Sequence, residues 1–305
     1  MTGIIHQTLQ AISVEHIKGH VQALEGVRHP ITAPEALEAA ADYIKGNFES
    51  LGYEIFGHHF VEDDQDYRNI IGIHRGTRHP EKYVIVLAHY DTELETPGAN
   101  DNASGVAAVL ELARVLKPLS FDATVLFVGV NLEERKSNGE FRPIARGSRA
   151  LAEHAKVNAW DIQGVIDLEE IAFATDTASQ TAPDNLPIEF PKTGNFIGVV
   201  GNENSAEMVS GFVKSIERNH IPLPYFPLVV PGNGEILPDT RRSDHTPFWD
   251  AGYKAIMITD TANFRTPHYH QASDTLETLN LDFAANVCRA AAGLISEMAG
   301  LADSP

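Results

Sequence analysis

The sequence predicts an α/β protein: a three-layer α/β/α sandwich with a mixed, largely parallel central sheet. Two observations carry that expectation. Short unbroken apolar runs such as YVIVLA and TVLFVGV read as strands covered on both faces. Between them lie segments whose apolar residues recur at helical spacing, and strands alternating with helices argue for a layered sheet. No internal repeat or low-complexity linker interrupts the alternation, so residues 1–305 are expected to form one domain.

Taken in order, residues 35–51 place Leu37, Ala40, Ala41, Ile44, Phe48 and Leu51 on one helical face and stop at Gly52. Three strands follow, Tyr53–Phe56, Tyr67–His74 and Lys82–His89, separated by Gly, Asp and Pro turns. A helix is expected over Asn102–Leu116 and a continuous apolar strand over Ala123–Val130. Helix Ser148–Lys156 leads to strand Gly164–Leu168, and strand Phe196–Val200 to helix Ser205–Arg218. Strand Lys254–Ile258 precedes a closing helix from about Leu281. Asp274, with Glu277 three residues on, makes a capping box. The stretches 173–195 and 231–244, rich in Pro, Gly, Asn and Asp, are long loops and candidate walls of a site.

Composition narrows the function. Lys and Arg total 23 against 42 Asp and Glu, a formal charge of −19 that repels polyanions and anionic membranes, and no basic run offsets it. No nucleic-acid or membrane partner is expected. The single cysteine, Cys288, cannot close an intramolecular disulfide and sits in an Ala-rich helical pattern as a buried apolar residue. The N-terminus has neither a basic start nor a sustained apolar core, and no run is long enough to span a bilayer. A soluble protein is expected, in the cytoplasm on the missing leader and lone thiol, or exported if a leader was removed.

In such sheets ligands bind outside the carboxyl ends of the strands. Those ends carry His89 and Asp91, then Glu133 and Glu134, then Glu169, with Asp101 ahead of a helix. Each is a metal-ligand type. One alone means little, since polar residues often finish strands, and Asp101 or Asn102 would serve equally as a helix cap. Recurrence at successive strand ends sets the group apart. NFRTPHYHQASDTLETL adds His268 and His270, of which His270 is the better placed.

AHYDT, GANDNASG, the Glu-Glu pair after a strand, the acid after GVIDL and YHQASDT, in that order over Asn69–Leu279, resemble the co-catalytic zinc aminopeptidases of peptidase family M28, whose relatives include glutaminyl cyclases. SDHTPFWDAG resembles the family's late motif, with Asp244 and His245 as supporting structure. The resemblance implies two Zn²⁺ per chain, with Mn or Co as substitutes. Asp101 would bridge them, His89 and Glu169 would complete one site, and Glu134 and His270 the other. Glu133 would be the general base, Tyr269 the donor to the oxyanion, and Asp91 the hydrogen-bond partner of the His89 ring. Two departures stand out. The family generally has Asp where this chain has Glu169, which leaves Asp167 and Glu170 as neighbouring alternatives, and ERKSNGEFRPIARGSRA is longer than the family's usual turn, a loop able to reshape the mouth of the pocket.

The implied set is chemically coherent. Three carboxylates against two divalent ions leave about one unit of charge for hydroxide, and a bridging carboxylate suits ions ~3.5–4 Å apart. Of two adjacent glutamates, one bound to metal leaves the other free to take a proton from water. The expected substrate is a peptide with a free N-terminus, hydrolysed by water activated between the metals. A glutaminyl cyclase on the same fold, or an inactive binding protein of the family, are the alternatives; retention of all five ligand types and Glu133 argues against the second.

Overall fold

The computed structural model describes residues 2–134, 145–184, 186 and 188–302. The lengthened stretch after the Glu-Glu pair therefore lies largely outside the described residues.

Eight strands share one sheet in the order β1-β2-β4-β3-β5-β8-β6-β7. In chain order these are β1 (Glu54–Glu62), β2 (Gln65–His74), β3 (His79–His89), β4 (Ala123–Val130), β5 (Asp161–Glu169), β6 (Ile197–Asn202), β7 (Tyr225–Val230) and β8 (Ala255–Thr259). The central four, β4-β3-β5-β8, run parallel. Strand β6 pairs antiparallel to β8, and β2 antiparallel to both β1 and β4. The sheet is thus mixed with a parallel centre, as expected.

The helices are α1 (Thr2–Gln10), α2 (Val14–Leu24), α3 (Pro34–Ser50), α4 (Gly105–Leu116), α5 (Arg146–Val157), α6 (Ala206–Arg218), α7 (His245–Asp250) and α8 (Leu281–Met298). The unbroken apolar strands are explained by how they divide between two cores. In β3, Val84, Val86 and Ala88 join a cluster with α2, α3, α4, α6 and α8, whereas Ile85 and Leu87 join a second with α5 and α7. The same period-two split sends Val125 and Phe127 one way and Leu126 and Val128 the other. None of the described helices is long and apolar enough to cross a membrane.

Several local expectations are corrected. The first strand runs on to Glu62, because Asp63 and Asp64 adopt φ of 48° and 60° and form the two-residue connection to β2. Helices α1, α2 and α7 and the edge strand β7 were not expected; Pro227 inside β7 disguises it, and an edge strand tolerates that proline. The helix expected from Asn102 begins at Gly105, behind a kinked turn in which Asp101 and Asn102 are non-helical and joined by a cis peptide. A Cβ at Gly105 would meet the Leu168 carbonyl oxygen at 2.2 Å, so glycine lets α4 start directly against the end of β5.

The capping box at Asp274 does not form. Residues 276–278 make only a short 3-10 turn, and α8 is capped by Asn280, which accepts the Phe283 N–H at 3.0 Å. Asp274 is instead buried in the interior of the site.

Candidate metal centre

The parallel centre of the sheet fixes where the polar residues meet. Strands β3, β4, β5 and β8 present their carboxyl ends side by side, so His89 at the end of β3 and Glu169 at the end of β5 arrive on one edge with Glu133 and Glu134 just past β4. The kinked turn ahead of α4 lowers Asp101 into the middle of this edge. The loop after β8 brings in His270.

Asp101 stands between two groups. Its Oδ1 is 3.2 Å from His89 Nε2, which is 3.4 Å from Glu169 Oε2. Its Oδ2 is 3.2 Å from His270 Nε2, which is 3.0 Å from Glu134 Oε1. One carboxylate thus offers one oxygen to each side. The ligand-type atoms of His89, Asp101 and Glu169 lie within 4.8 Å of one another, as do those of Glu93, Glu134 and His270.

The residues fit a metal. His89 Nε2, Asp101 Oδ1 and Glu134 Oε1 are buried without a hydrogen-bond partner, yet all face other donors to a cation. The charges say the same. Burial would push Asp101 up, but His270 and His89 hold it well below the usual carboxylate range. Burial would lower His270, but Asp101 and Glu134 raise it to about 10, and His89 is likewise raised against its burial by Glu169, Asp101 and Asp91. Burial and the Asp101 charge lift Glu134 to about 8. So dense a group of buried acids draws positive charge, as protons on the imidazoles or as bound cations.

Supporting residues surround it. Asp91 accepts the Glu133 N–H at 3.1 Å and the Glu134 N–H at 3.0 Å, with Oδ1 3.4 Å from His89 Nδ1. Burial, then neighbouring Glu134, Glu169 and Asp244, outweigh His89 and raise Glu133 well above an ordinary glutamate. Glu169 Oε2 accepts from Ser243 Oγ at 2.9 Å and from Asn102 Nδ2 at 3.1 Å, so the longer acid is tied back at the strand end. Tyr269 stacks on the His270 ring at 3.8 Å and accepts from Arg242 Nη2 at 3.0 Å. Burial and the nearby Glu134 and Asp101 keep it a neutral phenol.

The neighbouring alternatives fall elsewhere. Asp167 Oδ2 accepts the His245 N–H at 3.0 Å, and Glu170 Oε2 accepts from Asn100 Nδ2 at 2.9 Å. His268 Nδ1 lies 2.9 Å from Ser273 Oγ, away from the cluster. Asp244 is buried and bonded by Ser148 Oγ, and among the described residues its hydrogen bonds reach no member of the two groups. Asn102 takes the capping role that Asp101 also suited, its Oδ1 accepting the Gly105 N–H at 3.1 Å.

Sequence reasoning missed Glu93, Asn100, Arg28, the bond from Asn102 to Glu169 and the true place of Asp274. Asp274 accepts the Asn100 N–H at 2.8 Å and the Asp101 N–H at 3.1 Å, holding the turn that carries Asp101. Arg28 donates to the Tyr90 carbonyl at 2.8 Å and the Gly98 carbonyl at 3.0 Å, binding the loop after β3 to that same turn. Nothing in the local sequence marks Arg28; Asn100 and Asn102 were in plain view within GANDNASG but have many simpler uses.

A cleft opens beside Glu169, Glu170 and Tyr269. Leu186, Phe190, Val200, Phe226, Leu228 and Met257 make its walls apolar, with Asp239 and Arg242 at the polar end. Both long loops expected to form walls contribute.

Comparison with known proteins gives the family and the fold. The model of peptidase family M28 matches residues 69–295. YfbL of Escherichia coli (strain K12) is 33% identical over 287 residues, covering 90% of this chain and 85% of that one. A protein of Pyrenophora tritici-repentis named "Probable zinc metalloprotease" is 25% identical over 90% of this chain, which spans 64% of its length. Among solved structures, the LapA aminopeptidase of Legionella pneumophila superposes with a TM-score of 0.77 at 17% identity, over 98% of this chain and 74% of that one. The glutaminyl cyclase of Macrostomum lignano superposes with 0.76 at 17% identity, over 98% and 94%.

Proposed function

The chain belongs to peptidase family M28, and from that premise we propose that it is a zinc-dependent aminopeptidase that removes N-terminal residues from peptides. The observation that supports this reading best is the Asp101 carboxylate, which turns one oxygen to the His89 and Glu169 side and the other to the His270 and Glu134 side. In this reading His89, Asp101 and Glu169 hold one zinc ion, and Asp101, Glu134 and His270 hold a second. The nitrogen and oxygen donors would also accept Mn or Co.

Zinc bound there supplies Lewis acidity to the scissile carbonyl and lowers the pKa of water towards ~7. Glu133 takes the proton from the attacking water and passes it to the leaving amine, a task suited to a buried carboxyl with raised proton affinity. Tyr269, held by Arg242 and against His270, donates its hydroxyl proton to the oxygen that becomes negative. The apolar cleft receives the side chain of the N-terminal residue. Carboxylates at the closed end of the cleft would draw the substrate's free ammonium, which disfavours internal peptide bonds.

The test is hydrolysis of aminoacyl anilides with and without chelator, with metal content measured on the same sample. Release of apolar amino acids, lost on chelation and restored by zinc, is expected. A glutaminyl peptide separates the related cyclase: formation of a pyroglutamyl product with no free amino acid from any anilide would replace the peptidase reading.

A further inference from the structure

We infer that Glu93 is a positioning residue for His270, holding the imidazole from its Nδ1 side so that Nε2 is presented to a cation. The inference rests on the metal centre proposed above but not on peptide hydrolysis.

The two histidines of the centre are placed differently. His89 is fully buried, and Asp91 stands behind its Nδ1 with its backbone carbonyl at 3.2 Å and its Oδ1 at 3.4 Å. His270 comes from a loop, retains 24% side-chain exposure, and sits on a backbone φ of 54°. Its orientation therefore needs more support from neighbouring side chains. Tyr269 covers one ring face at 3.8 Å with an interplanar angle of 18°, which limits tilting but leaves rotation within the plane.

That rotation is what Glu93 addresses. His270 Nε2 already faces Asp101 Oδ2 at 3.2 Å and Glu134 Oε1 at 3.0 Å. The nitrogens of an imidazole point away from each other, so a cation on Nε2 leaves the ring proton on Nδ1. There stands Glu93, with Oε2 3.8 Å from Nδ1. The distance is a charge contact longer than a hydrogen bond, made to the ring nitrogen that does not face Asp101. A carboxylate there favours the tautomer with Nε2 unprotonated and makes that nitrogen the better donor.

The backbone makes the contact reproducible. Thr92, between Asp91 and Glu93, gives its N–H to the Arg28 carbonyl at 3.0 Å and accepts the Arg28 N–H on Oγ1 at 2.9 Å. The Glu93 carbonyl accepts the Thr96 N–H at 3.2 Å, closing a turn. Within HYDTE the chain thus supplies a ligand-type histidine, a carboxylate behind that histidine, and a carboxylate behind the other one. Glu93 also lies near enough to Glu134 to be considered a direct ligand; its place at Nδ1 rather than Nε2 argues for the backing role.

The experiment is stepwise zinc titration against a chromophoric chelator for the wild type, Glu93→Ala, Glu93→Gln and His270→Ala, with circular dichroism and metal-free melting to verify folding. The step lost in His270→Ala should weaken by roughly 10–100-fold in Glu93→Ala while the other step is unchanged. Glu93→Gln, which keeps an oxygen for the Nδ1 proton, should recover part of that loss. Unchanged affinity in a folded Glu93→Ala, or equal loss of both steps, overturns the inference. Complete loss of one ion, matching His270→Ala, overturns it in favour of direct ligation. Zinc binding without anilide hydrolysis would defeat the aminopeptidase reading and leave this result interpretable; a wild type that binds no zinc defeats both.

Discussion

Asp91 fixes Glu133 through the backbone: its Oδ1 accepts the Glu133 N–H at 3.1 Å, and its second oxygen takes the next N–H along, that of Glu134, at 3.0 Å. One carboxylate behind β3 therefore sets the position of two acids behind β4. Asp91→Asn keeps a single acceptor oxygen and turns an amide N–H towards a buried backbone donor. Metal-free stability should fall by about 1–3 kcal/mol in urea unfolding, with weaker zinc binding in the same variant. Unchanged values for both would show that the clamp contributes nothing.

Glu133→Ala should lower anilide hydrolysis by roughly 10²–10⁴-fold with metal content per chain intact. The acid is buried beside the cluster but its neighbour Glu134, not Glu133, contacts His270. Full activity in the variant would remove Glu133 from the mechanism.

His270→Ala should cost one metal ion per chain by elemental analysis, whereas His268→Ala should cost none. His268 engages Ser273 and packs edge-on to Phe173 with ring centres 5.7 Å apart. The opposite pattern would exchange their roles.

Asp274→Asn should weaken both zinc-binding steps. The residue holds the N–H groups of Asn100 and Asp101, and Asp101 serves both sides of the centre. Burial raises its pKa to about 7 against those two N–H groups, so the carboxylate is costly to keep and its retention here serves the turn. A loss confined to one step would show that the turn does not act as a unit.

Stability should also fall in mild acid, for reasons away from the metals. Burial, then His154 and His59, lower His58 to about 4, and its Nδ1 accepts from Asn69 Nδ2 at 3.1 Å. Below an unfolded value near ~6.5 the unfolded chain binds a proton that the folded chain refuses, so stability present above that pH is lost progressively towards 4. His20, lowered to about 4 chiefly by burial, has the same sign. Urea unfolding of metal-free protein between pH 7 and 5 should show a shallower decline in His58→Phe than in the wild type; parallel declines would contradict the assignment.

Much of this was legible from residue patterns. Continuous apolar strands announced a sheet covered on both sides, and ligand-type residues at successive strand ends pointed to one edge. The misreadings share a cause. Asp274 followed by Glu277 has the pattern of a helix start, but hydrogen bonds to Asn100 and Asp101, remote in sequence, took the carboxylate. Pro227 hid an edge strand, and an Asp-Asp turn gave no glycine signal for the first hairpin.

The sequence by itself determined the alternation of strands and helices, the apolar division between two cores and the inventory of acids and imidazoles, because these follow from periodicity and residue chemistry. Only the tertiary structure decided that Asp101 faces two ways, that Asn102 and Ser243 tie back Glu169, and that Glu93 stands behind His270. Those relationships join positions up to 177 residues apart, as His270 and Glu93 are. No local propensity encodes them: they arise when the buried sheet brings strand ends together and the desolvated charges there must find partners.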